Sequence, residues 1–455
     1  MIRPQRIPTE RVMRGSRSAA LAVWLMLWAA IAATAAVPKD IQGLYDKKEY
    51  AKVIEELAKL SKEASAAPDI RRLRTRALLK LGNPKEALEE YDKLVLSLKQ
   101  DDIPLLRDVA LGFIVVMLKD MREQMRGAAY TALKEVDSDE IVSYFEDGLS
   151  DGSGPVRVLA VEGLGRSDAG RRSPKLRAAL EDQAGLVKAR AVKVLGRSGD
   201  PAVIPLVEAA SKDELNIVRI AAYGALLRLG RQDAWEPLRR AGEAANPEDR
   251  AETIRVMADL KDQRAAQLMM ELLAYKQPSV RGAAARGLGQ LGKQAAREKI
   301  EALLSDPIPA VRESAAAGLA DLGGAESVPA LVRALKDGTF TVRAAAAAAL
   351  LQLGQPFEVV ATTLRALAQQ NDTGARASAA HALGKATKTN AAGAISLLGS
   401  LVADPLPGPK IVAIRSLGHI GDRSLVPLMK ESLHDQNEAV RSTAGGALLH
   451  LLDAK

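Results

Sequence analysis

A thirteen-residue segment recurs along the chain at nearly constant spacing. It reads VRGAAARGLGQLG from Val280, VRESAAAGLADLG from Val311 and VRAAAAAALLQLG from Val342, so these starts are 31 residues apart. The repeats, numbered 1 to 11, start at Met125, Val156, Val187, Val218, Asp249, Val280, Val311, Val342, Ala375, Pro409 and Val440. A period of this length is typical of solenoids, in which every repeat is one supersecondary element that packs on its neighbours.

Each segment is predicted to be an α-helix with one buried stripe. Four residues after the start stands Ala in ten repeats and Thr253 in the other, and eight residues after it stands Leu in ten repeats and Met257 in the other. Spacings of four and eight place these residues on one helix face. Five repeats end in a Gly suited to the left-handed turn that closes a helix, namely Gly199, Gly230, Gly292, Gly323 and Gly354.

A second helix is predicted in each repeat. Pro205, Pro329 and Pro427 stand near its start, where a missing N–H costs little. Twenty residues after the repeat start the chain is apolar in eight repeats, at Phe145, Leu176, Val207, Leu238, Met269, Ile300, Leu331 and Met429. A hairpin of this kind cannot bury its apolar faces alone, so the sequence predicts an all-α fold, a right-handed α-solenoid of stacked helical hairpins that forms one continuous curved rod.

The VRxxAAxxL helices resemble the HEAT-like repeat family, in the short form named after the phycobilisome lyases. The resemblance covers residues 125–455. It implies a stacked helical array, and it is compatible with scaffolds, adaptors and a few enzymes.

Residues 38–99 resemble tetratricopeptide repeats instead. The matching residues are Tyr50–Ala51, Leu81–Gly82–Asn83, Ala87 and Tyr91. Residues 100–124 are predicted to contain a helix that connects this short start to the array.

A basic residue stands second in every repeat. These residues are Arg126, Arg157, Lys188, Arg219, Arg250, Arg281, Arg312, Arg343, Arg376, Lys410 and Arg441. Five residues before the start, eight repeats carry an acid: Asp120, Asp151, Asp182, Asp213, Asp306, Asp337, Asp404 and Asp435. We interpret the two columns as a ladder of charge-assisted hydrogen bonds between neighbouring repeats. The alternative is a track of cations for an anionic polymer.

The first 36 residues are typical of an export signal. Five Arg and one Glu lie in this stretch, and Ala19 to Ala33 is uncharged and apolar, followed by small residues at Ala35 and Ala36. We expect cleavage near Ala35 or Ala36; an uncleaved anchor is the alternative. Half of the net charge of +8 belongs to this leader, so the remaining +4 gives little support for nucleic-acid binding.

Signatures of catalysis are missing from the sequence. The chain has no Cys and four His (His381, His419, His434 and His450), none of them followed by Glu. The iron-binding His-Glu pairs of HEAT-repeat hydroxylases are therefore absent, and nothing indicates a bilin pocket like that of the lyases. We interpret the histidines as isolated surface residues, with His419 and His434 in loops, and predict no metal, no cofactor and no catalytic residue.

Binding residues were sought on the second helices, which commonly line the concave side of a solenoid. Twenty-one residues after the repeat start, the column Glu146, Arg177, Glu208, Arg239, Met270, Glu301, Val332 and Lys430 varies in chemistry. This variation indicates either recognition or pairing between neighbouring repeats. Repeat 5 departs most from the pattern, and aromatic and Met side chains are common interface anchors. Arg239, Met270 and Tyr275 are the predicted binding residues, whereas Trp235 is predicted to be core.

The sequence thus predicts a non-catalytic scaffold or adaptor that binds a protein partner along a concave face. Its predicted location is outside the cytoplasm, in a bacterial periplasm, with no nucleic acid bound and no membrane span after cleavage. The alternatives are a lyase-type enzyme or enzyme accessory, and a binder of an anionic polymer.

Overall fold

The computed structural model describes residues 36–453, and within them the chain forms helices and turns without a strand. All but the last residue of the predicted signal peptide lies outside the described residues. No helix between residues 36 and 453 combines the length and the apolarity needed to cross a bilayer. The chain divides into two compact regions between Gly112 and Phe113, inside the helix Ile103–Val115. We call the second region the array.

The N-terminal region is a small stack of helices: Lys39–Asp46, Tyr50–Ala58, Lys62–Ser65, Pro68–Lys80 and Pro84–Leu98. Gly82 has a φ of 81° in the turn between the last two, a conformation that glycine adopts without strain. Ala87 and Tyr91 are fully buried on the following helix, and the Tyr91 hydroxyl donates to Asp101 Oδ1 at 2.8 Å. The likeness of this region to tetratricopeptide repeats stays a prediction.

Every repeat of the array begins with a long helix. These first helices are Glu123–Leu133, Gly154–Leu164, Gly185–Gly196, Asn216–Arg228, Pro247–Leu260, Pro278–Gln290, Pro309–Leu322, Phe340–Gln352, Thr373–Leu383, Pro407–Ile420 and Glu438–Asp453. The Ala column four residues after the repeat start is fully buried in all eleven repeats, Thr253 included, and the Leu column is buried throughout. The predicted stripe is therefore confirmed.

A shorter second helix follows in repeats 1 to 10. These helices are Val142–Gly148, Pro174–Ala178, Ile204–Ala210, Trp235–Ala241, Ala266–Leu272, Arg297–Ala302, Val328–Ala334, Phe357–Ala368, Ala391–Val402 and Val426–Ser432, and repeat 2 adds a turn at Asp168–Arg171. The apolar column on these helices is buried at all eight positions named from the sequence. The five glycines that end first helices all have positive φ, as the sequence predicted. The all-α stack of helical hairpins is confirmed.

The predicted ladder between repeats is present. In seven joints the basic residue pairs with the Asp of the following repeat at 2.6–2.8 Å: Arg126–Asp151, Arg157–Asp182, Lys188–Asp213, Arg281–Asp306, Arg312–Asp337, Arg376–Asp404 and Lys410–Asp435. Each Asp also fixes the loop before a first helix by accepting the N–H two residues on, as when Asp306 Oδ1 accepts the Ile308 N–H at 2.9 Å. Burial opposes ionisation of Asp306, but the bonds from Arg281 and Ile308 lower its pKa below the ordinary value.

The ladder arginines also bind their own loop. Arg281 Nη1, for example, donates to the Tyr275 carbonyl at 2.8 Å while its other nitrogens hold Asp306. Each bidentate guanidinium thereby ties the loop before its own helix to the loop before the next one. This geometry supports the structural interpretation of the basic column over the cation track.

Three joints lack the acid. Ala244 stands where Arg219 would find a carboxylate, and Gln370 stands there for Arg343. At the remaining joint Tyr275 takes the place of Asp, and the Arg250 guanidinium lies 4.4 Å from the centre of its ring. A cation–π contact thus replaces an ion pair in that joint.

The first helices lie on the inner side of the bend. Successive first helices pack closely along their length, whereas most successive second helices scarcely touch. Side chains two repeats apart even meet on the first-helix side, where Arg197 Nη2 of repeat 3 lies 3.0 Å from Asp259 Oδ1 of repeat 5. The expectation that second helices line the concave side is therefore wrong, because the short second helices diverge while the Ala-rich first helices approach one another.

The array closes on itself. The last first helix, Glu438–Asp453, packs against the first one, Glu123–Leu133, as well as against its predecessor Pro407–Ile420. We call the joint between repeats 11 and 1 the seam. The expectation of an open curved rod is wrong for this region, because the rotation accumulated over the joints returns the chain to its start.

Burial of the last helix confirms the closure. The terminal helix of an open stack would expose one face, yet residues 439–449 are all buried, Arg441 among them. A Cβ on Gly446 would lie 2.6 Å from the Ala132 carbonyl oxygen, so glycine is what allows the two helices to touch. Arg122 Nη2 adds an ion pair to Glu438 at 2.5 Å across the seam.

Residues 113–119 pack beside repeat 11 at the place where a second helix lies in the other repeats. Phe113, Ile114 and Met117 are buried, and the Phe113 ring centre lies 5.8 Å from Cζ of Arg441. The turn Val116–Lys119 packs on the helix Glu123–Leu133. The chain therefore covers its last helix with a segment that precedes its first repeat.

Candidate functional site

Two columns of first-helix residues face the concave side. Six residues after the repeat start stand Thr131, Glu162, Lys193, Gly224, Arg255, Arg286, Ala317, Ala348, His381, Arg415 and Gly446. Ten residues after it stand Glu135, Arg166, Arg197, Arg228, Asp259, Gln290, Asp321, Gln352, Lys385, His419 and His450. Because the two columns are four residues apart, they form one stripe on each helix, and their chemistry changes from repeat to repeat.

Charge is unevenly distributed around this surface. The cations of the two columns belong to repeats 2 to 6, 9 and 10, whereas repeats 7 and 8 contribute Ala317, Asp321, Ala348 and Gln352. The Lys and Arg side chains of the two columns therefore flank the seam in repeats 2, 3, 9 and 10 and continue through repeats 4 to 6, whereas repeats 7 and 8 are neutral or acidic. A surface of this kind favours an anionic ligand on one side only.

A cavity of about 630 Å³ spans the seam. We call it the seam basin. Its lining residues are Thr131, Lys134, Glu135, Glu162, Gly165, Arg166, Arg190, Lys193, Val194, Arg197, Arg415, His419 and His450. They come from repeats 1, 2, 3, 10 and 11, so the basin exists only because the array closes.

Glu135 lies at the centre of the charged groups of the seam. Its Oε2 is 3.0 Å from His419 Nε2, and its carbonyl oxygen is 3.3 Å from His450 Nδ1. Burial opposes ionisation, but the bond with His419 and the charges of Arg166 and Arg415 lower the pKa of Glu135 below its ordinary value. This corner of the basin therefore stabilises an ionised carboxylate.

The histidines are less isolated than the sequence analysis held. His419 lies inside the helix Pro407–Ile420 rather than in a loop, and its ring contacts that of His450 edge to face, with centres 6.5 Å apart. Partial burial, followed by the charges of Lys385, His419 and Arg415, lowers the pKa of His381 below its ordinary value. Among residues 36–453 no three His, Asp or Glu side chains converge in a way that could hold a metal ion.

A second cavity of about 560 Å³ adjoins the basin. Lys193 lines both cavities, so the concave surface is continuous between them. Its floor is made of small residues such as Gly282, Ala283 and Ser314, which leave the helix backbones accessible. Asp259 divides the two cavities; burial opposes its ionisation, but Lys193, Arg197 and Arg228 lower its pKa.

The predicted binding residues lie elsewhere. Arg239 and Met270 belong to second helices, and Tyr275 to the loop that follows. Arg239 pairs with Glu236 of its own helix and with Glu243 just after that helix, and Tyr275 is the ladder residue described above. Neither described cavity includes any of the three, and their role in binding stays a prediction.

Pairing between repeats accounts for much of the charged column on the second helices. Glu146 accepts from Ser173 at 2.6 Å, Arg177 lies 3.5 Å from Asp200, and Glu301 accepts from Ser327 at 2.7 Å. Each partner belongs to the following repeat. The interpretation of this column as neighbouring repeats that pair is therefore supported.

Trp235 is half-buried rather than core. The Arg264 guanidinium covers its ring, with Cζ 4.2 Å from the ring centre. The equivalent residues of three other repeats are also only half-buried: Ile204, Val328 and Val426. This position therefore lies at the edge of the core in all four repeats.

Sequence reasoning missed the concave columns because it searched the second helices. The signal was present: positions seven and eleven of the thirteen-residue segment change from repeat to repeat while positions five and nine stay apolar. Variation at a fixed position inside an otherwise constant helix marks the exposed stripe. What the segment does not reveal is which side of the bend that stripe faces.

A family model for HEAT repeats matches residues 173–246, 241–309 and 297–384. Residues 173–384 are HEAT repeats. The same helical hairpin continues on both sides of the matched range, from Glu123 to Asp453. The HEAT-like resemblance stated from the sequence is thereby confirmed.

Several solved structures are distantly similar to this chain. Human deoxyhypusine hydroxylase is 22% identical, over 55% of this chain and 98% of its own, with a TM-score of 0.30. The complex of CpcE and CpcF of phycocyanin lyase from Nostoc is 18% identical, over 50% and 94%, with a TM-score of 0.35. Kap121p is 14% identical, over 92% and 56%, with a TM-score of 0.36. No curated protein matches the sequence significantly.

Proposed function

We propose that the protein is a non-catalytic scaffold or adaptor that holds a protein partner on the concave surface of its first helices. The observation that carries the proposal is the pair of variable columns on these helices, six and ten residues after each repeat start. The two columns place different side chains at regular intervals along the concave surface. The ladder of ion pairs holds the helices that carry them in fixed positions. Extended concave surfaces of stacked repeats are well suited to binding another chain.

The frame itself supports this function. Seven joints are closed by partly buried ion pairs, and the last helix is held by the first. A surface built on helices that cannot shift independently loses little conformational entropy when it binds. We propose further that the protein acts outside the cytoplasm, since residues 1–36 have the composition of an export signal.

Photo-crosslinking tests the partner proposal. A photoreactive amino acid replaces Gln290 on the concave side of repeat 6, and in a matched strain it replaces Glu298 on the second helix of the same repeat. We expect one discrete protein to be captured from the position of Gln290 and not from that of Glu298. The purified partner should then bind the unmodified protein in solution. Equal capture at both positions, or none at either, would overturn the proposal.

Fractionation tests the location. The proposal predicts that the protein is recovered with the periplasmic contents and that its first residue is near Val37. Recovery of the uncleaved chain in the cytoplasm would contradict it, and recovery of the uncleaved chain in the membrane would favour the anchor instead.

A further inference from the structure

The side chains that line the seam basin carry more positive than negative charge. Six of its thirteen lining residues are Lys or Arg, and two are Glu. Two of the cations are committed to Asp259, at 3.2 Å from Lys193 and 3.0 Å from Arg197, and Lys134 lies 2.9 Å from Glu162. The remaining three are Arg166, Arg190 and Arg415.

These three guanidiniums have N–H groups that no acceptor in the described part of the protein occupies. Within the described residues 36–453, the side chains of Arg166 and Arg415 form no hydrogen bond and no ion pair. The Nε of Arg190 lies 3.7 Å from Glu162 Oε1, too far for a hydrogen bond, and it is buried without another acceptor. The donors open to a ligand are therefore those of Arg166 and Arg415.

Glu135 shows which chemistry suits this corner. It is a carboxylate of the chain itself, and Arg166 and Arg415 both favour its ionised form. A second carboxylate that entered the basin would meet the same two guanidiniums from the open side. Arginine binds carboxylates through paired N–H donors with well-defined geometry.

We propose that the seam basin binds a segment of the partner rich in Asp and Glu. The volume of about 630 Å³ falls within the range of about 300–1,000 Å³ that is usual for ligand sites, and it accommodates a few residues rather than a folded domain. This inference rests on the proposed function and specifies the chemistry of its ligand.

A peptide fits the basin better than a nucleic acid does. The phosphates of a duplex follow one another at about one charge per 1.7 Å of axis. Glu135 and Glu162 interrupt the cations of the basin, so a continuous run of phosphates would meet fixed negative charges. An acidic peptide can place neutral residues opposite these two carboxylates.

Fluorescence anisotropy with a defined probe tests the inference. The probe is a fluorescein-labelled peptide of twelve residues in which six Glu alternate with neutral residues, and its counterpart carries Gln in place of Glu. The test variant is Arg166→Gln with Arg415→Gln. The control variant is Arg240→Gln with Lys299→Gln, which removes the same charge from two second helices. Melting temperatures confirm that both variants fold.

We expect the Glu peptide to bind the unmodified protein and the control variant equally, and the test variant at least about tenfold more weakly. The Gln peptide should not bind. Equal affinity for test and control variants, or no binding of the Glu peptide to any of them, would overturn the inference. Tighter binding of an oligothymidylate than of the Glu peptide would overturn it in favour of an anionic polymer.

The result is separable from the crosslinking experiment. A partner that is captured at the position of Gln290 but binds the Arg166→Gln and Arg415→Gln variant normally would contradict the acidic segment and leave the scaffold intact. Loss of both the capture and the peptide affinity in that variant would support the two proposals together.

Discussion

The joint between repeats 7 and 8 and the seam between repeats 11 and 1 solve the same packing problem in different ways. In the first joint Arg312 holds Asp337 through two bonds of 2.8 and 2.9 Å. At the seam the equivalent Arg441 does not bond to Asp120, the corresponding Asp of repeat 1, which pairs with Arg122 instead. The buried Nε of Arg441 has no acceptor, and the Phe113 ring lies beside it. The ordinary joint is fixed by polar geometry, whereas the seam is fixed by the shape of two helices that meet at Gly446.

This difference shows that the array can bend and close at a joint that has no ladder ion pair. Burial lowers the pKa of the Arg441 guanidinium from its ordinary value, and the nearby charges of Glu438 and Asp435 offset the lowering only in part. The array nevertheless closes there. The ladder therefore strengthens joints whose geometry the apolar columns already determine.

A lower pH should reduce the stability of the array more than any single substitution does. It protonates the Asp residues of all seven ladder pairs, whereas the apolar packing of the seam does not depend on pH. The pKa of Asp306, like those of Asp337 and Asp404, is lowered in the folded state, so each contributes stability that is present above its unfolded pKa of about 4. That stability is lost as the pH falls through the folded pKa. We expect the main drop in melting temperature, followed by circular dichroism, below about pH 4. A main drop complete by pH 5 would contradict the ladder.

Removal of the arginine should separate the two kinds of joint. Arg281→Met leaves Asp306 buried without its partner and should lower the free energy of unfolding by about 3–5 kcal/mol. Arg441→Met removes an unsatisfied Nε together with the bonds of Nη1 to the Asp435 and Gln436 carbonyls, but it leaves no carboxylate without its partner, so the loss should be smaller, about 1–2 kcal/mol. Urea titration of the two variants measures both values. Equal losses would mean that the seam arginine has a partner of its own.

Enlargement of the seam glycine should weaken the closure alone. Gly446→Val forces a side chain against the Ala132 carbonyl and should cost about 1–3 kcal/mol. Amide exchange of the helix Glu438–Asp453 should accelerate before that of repeats 6 to 8. The matched control is Gly399→Ala, because a Cβ there meets no atom within 4 Å and should be neutral or slightly stabilising. Uniform acceleration over all repeats would argue that the seam is not a separate joint.

Introduction of a missing ladder Asp should change the stability of the array least. Ala244→Asp places a carboxylate where Arg219 lacks one and should stabilise the array by about 1 kcal/mol. Ala244→Asn is the control, since an amide can accept the same loop N–H but cannot pair with the charge. Thermal melts of the two variants distinguish the contributions; an equal gain in both would assign the effect to the bond with the loop.

The sequence predicted what each repeat does locally. The buried Ala and Leu columns, the closing glycines and the pairing of Arg281 with Asp306 all follow from residue types at fixed spacing, and the structure confirms them. Such features depend on contacts within one repeat or between two neighbours, and eleven copies made them visible.

The sequence could not predict in the same way that the array closes, or that the first helices lie on the inner side of the bend. The bend at one joint is a small rotation set by the difference in side-chain bulk between the two helix layers, and only its sum over all joints brings Gly446 against Ala132. No column of the repeat records that sum. The seam basin, including the contact of Glu135 with His419, was therefore out of reach of sequence analysis.

Closure also limits how this protein can change in evolution. A linear stack grows or shrinks by duplicating or deleting a module at either end, and the neighbours are undisturbed. Here an added or lost module would require every other interface to adopt a new angle before the termini could meet again. Closure therefore ties the number of modules to the angle of each joint, and we expect relatives with the same closing glycine contact to differ in the lengths of their turns rather than in the number of their helical pairs.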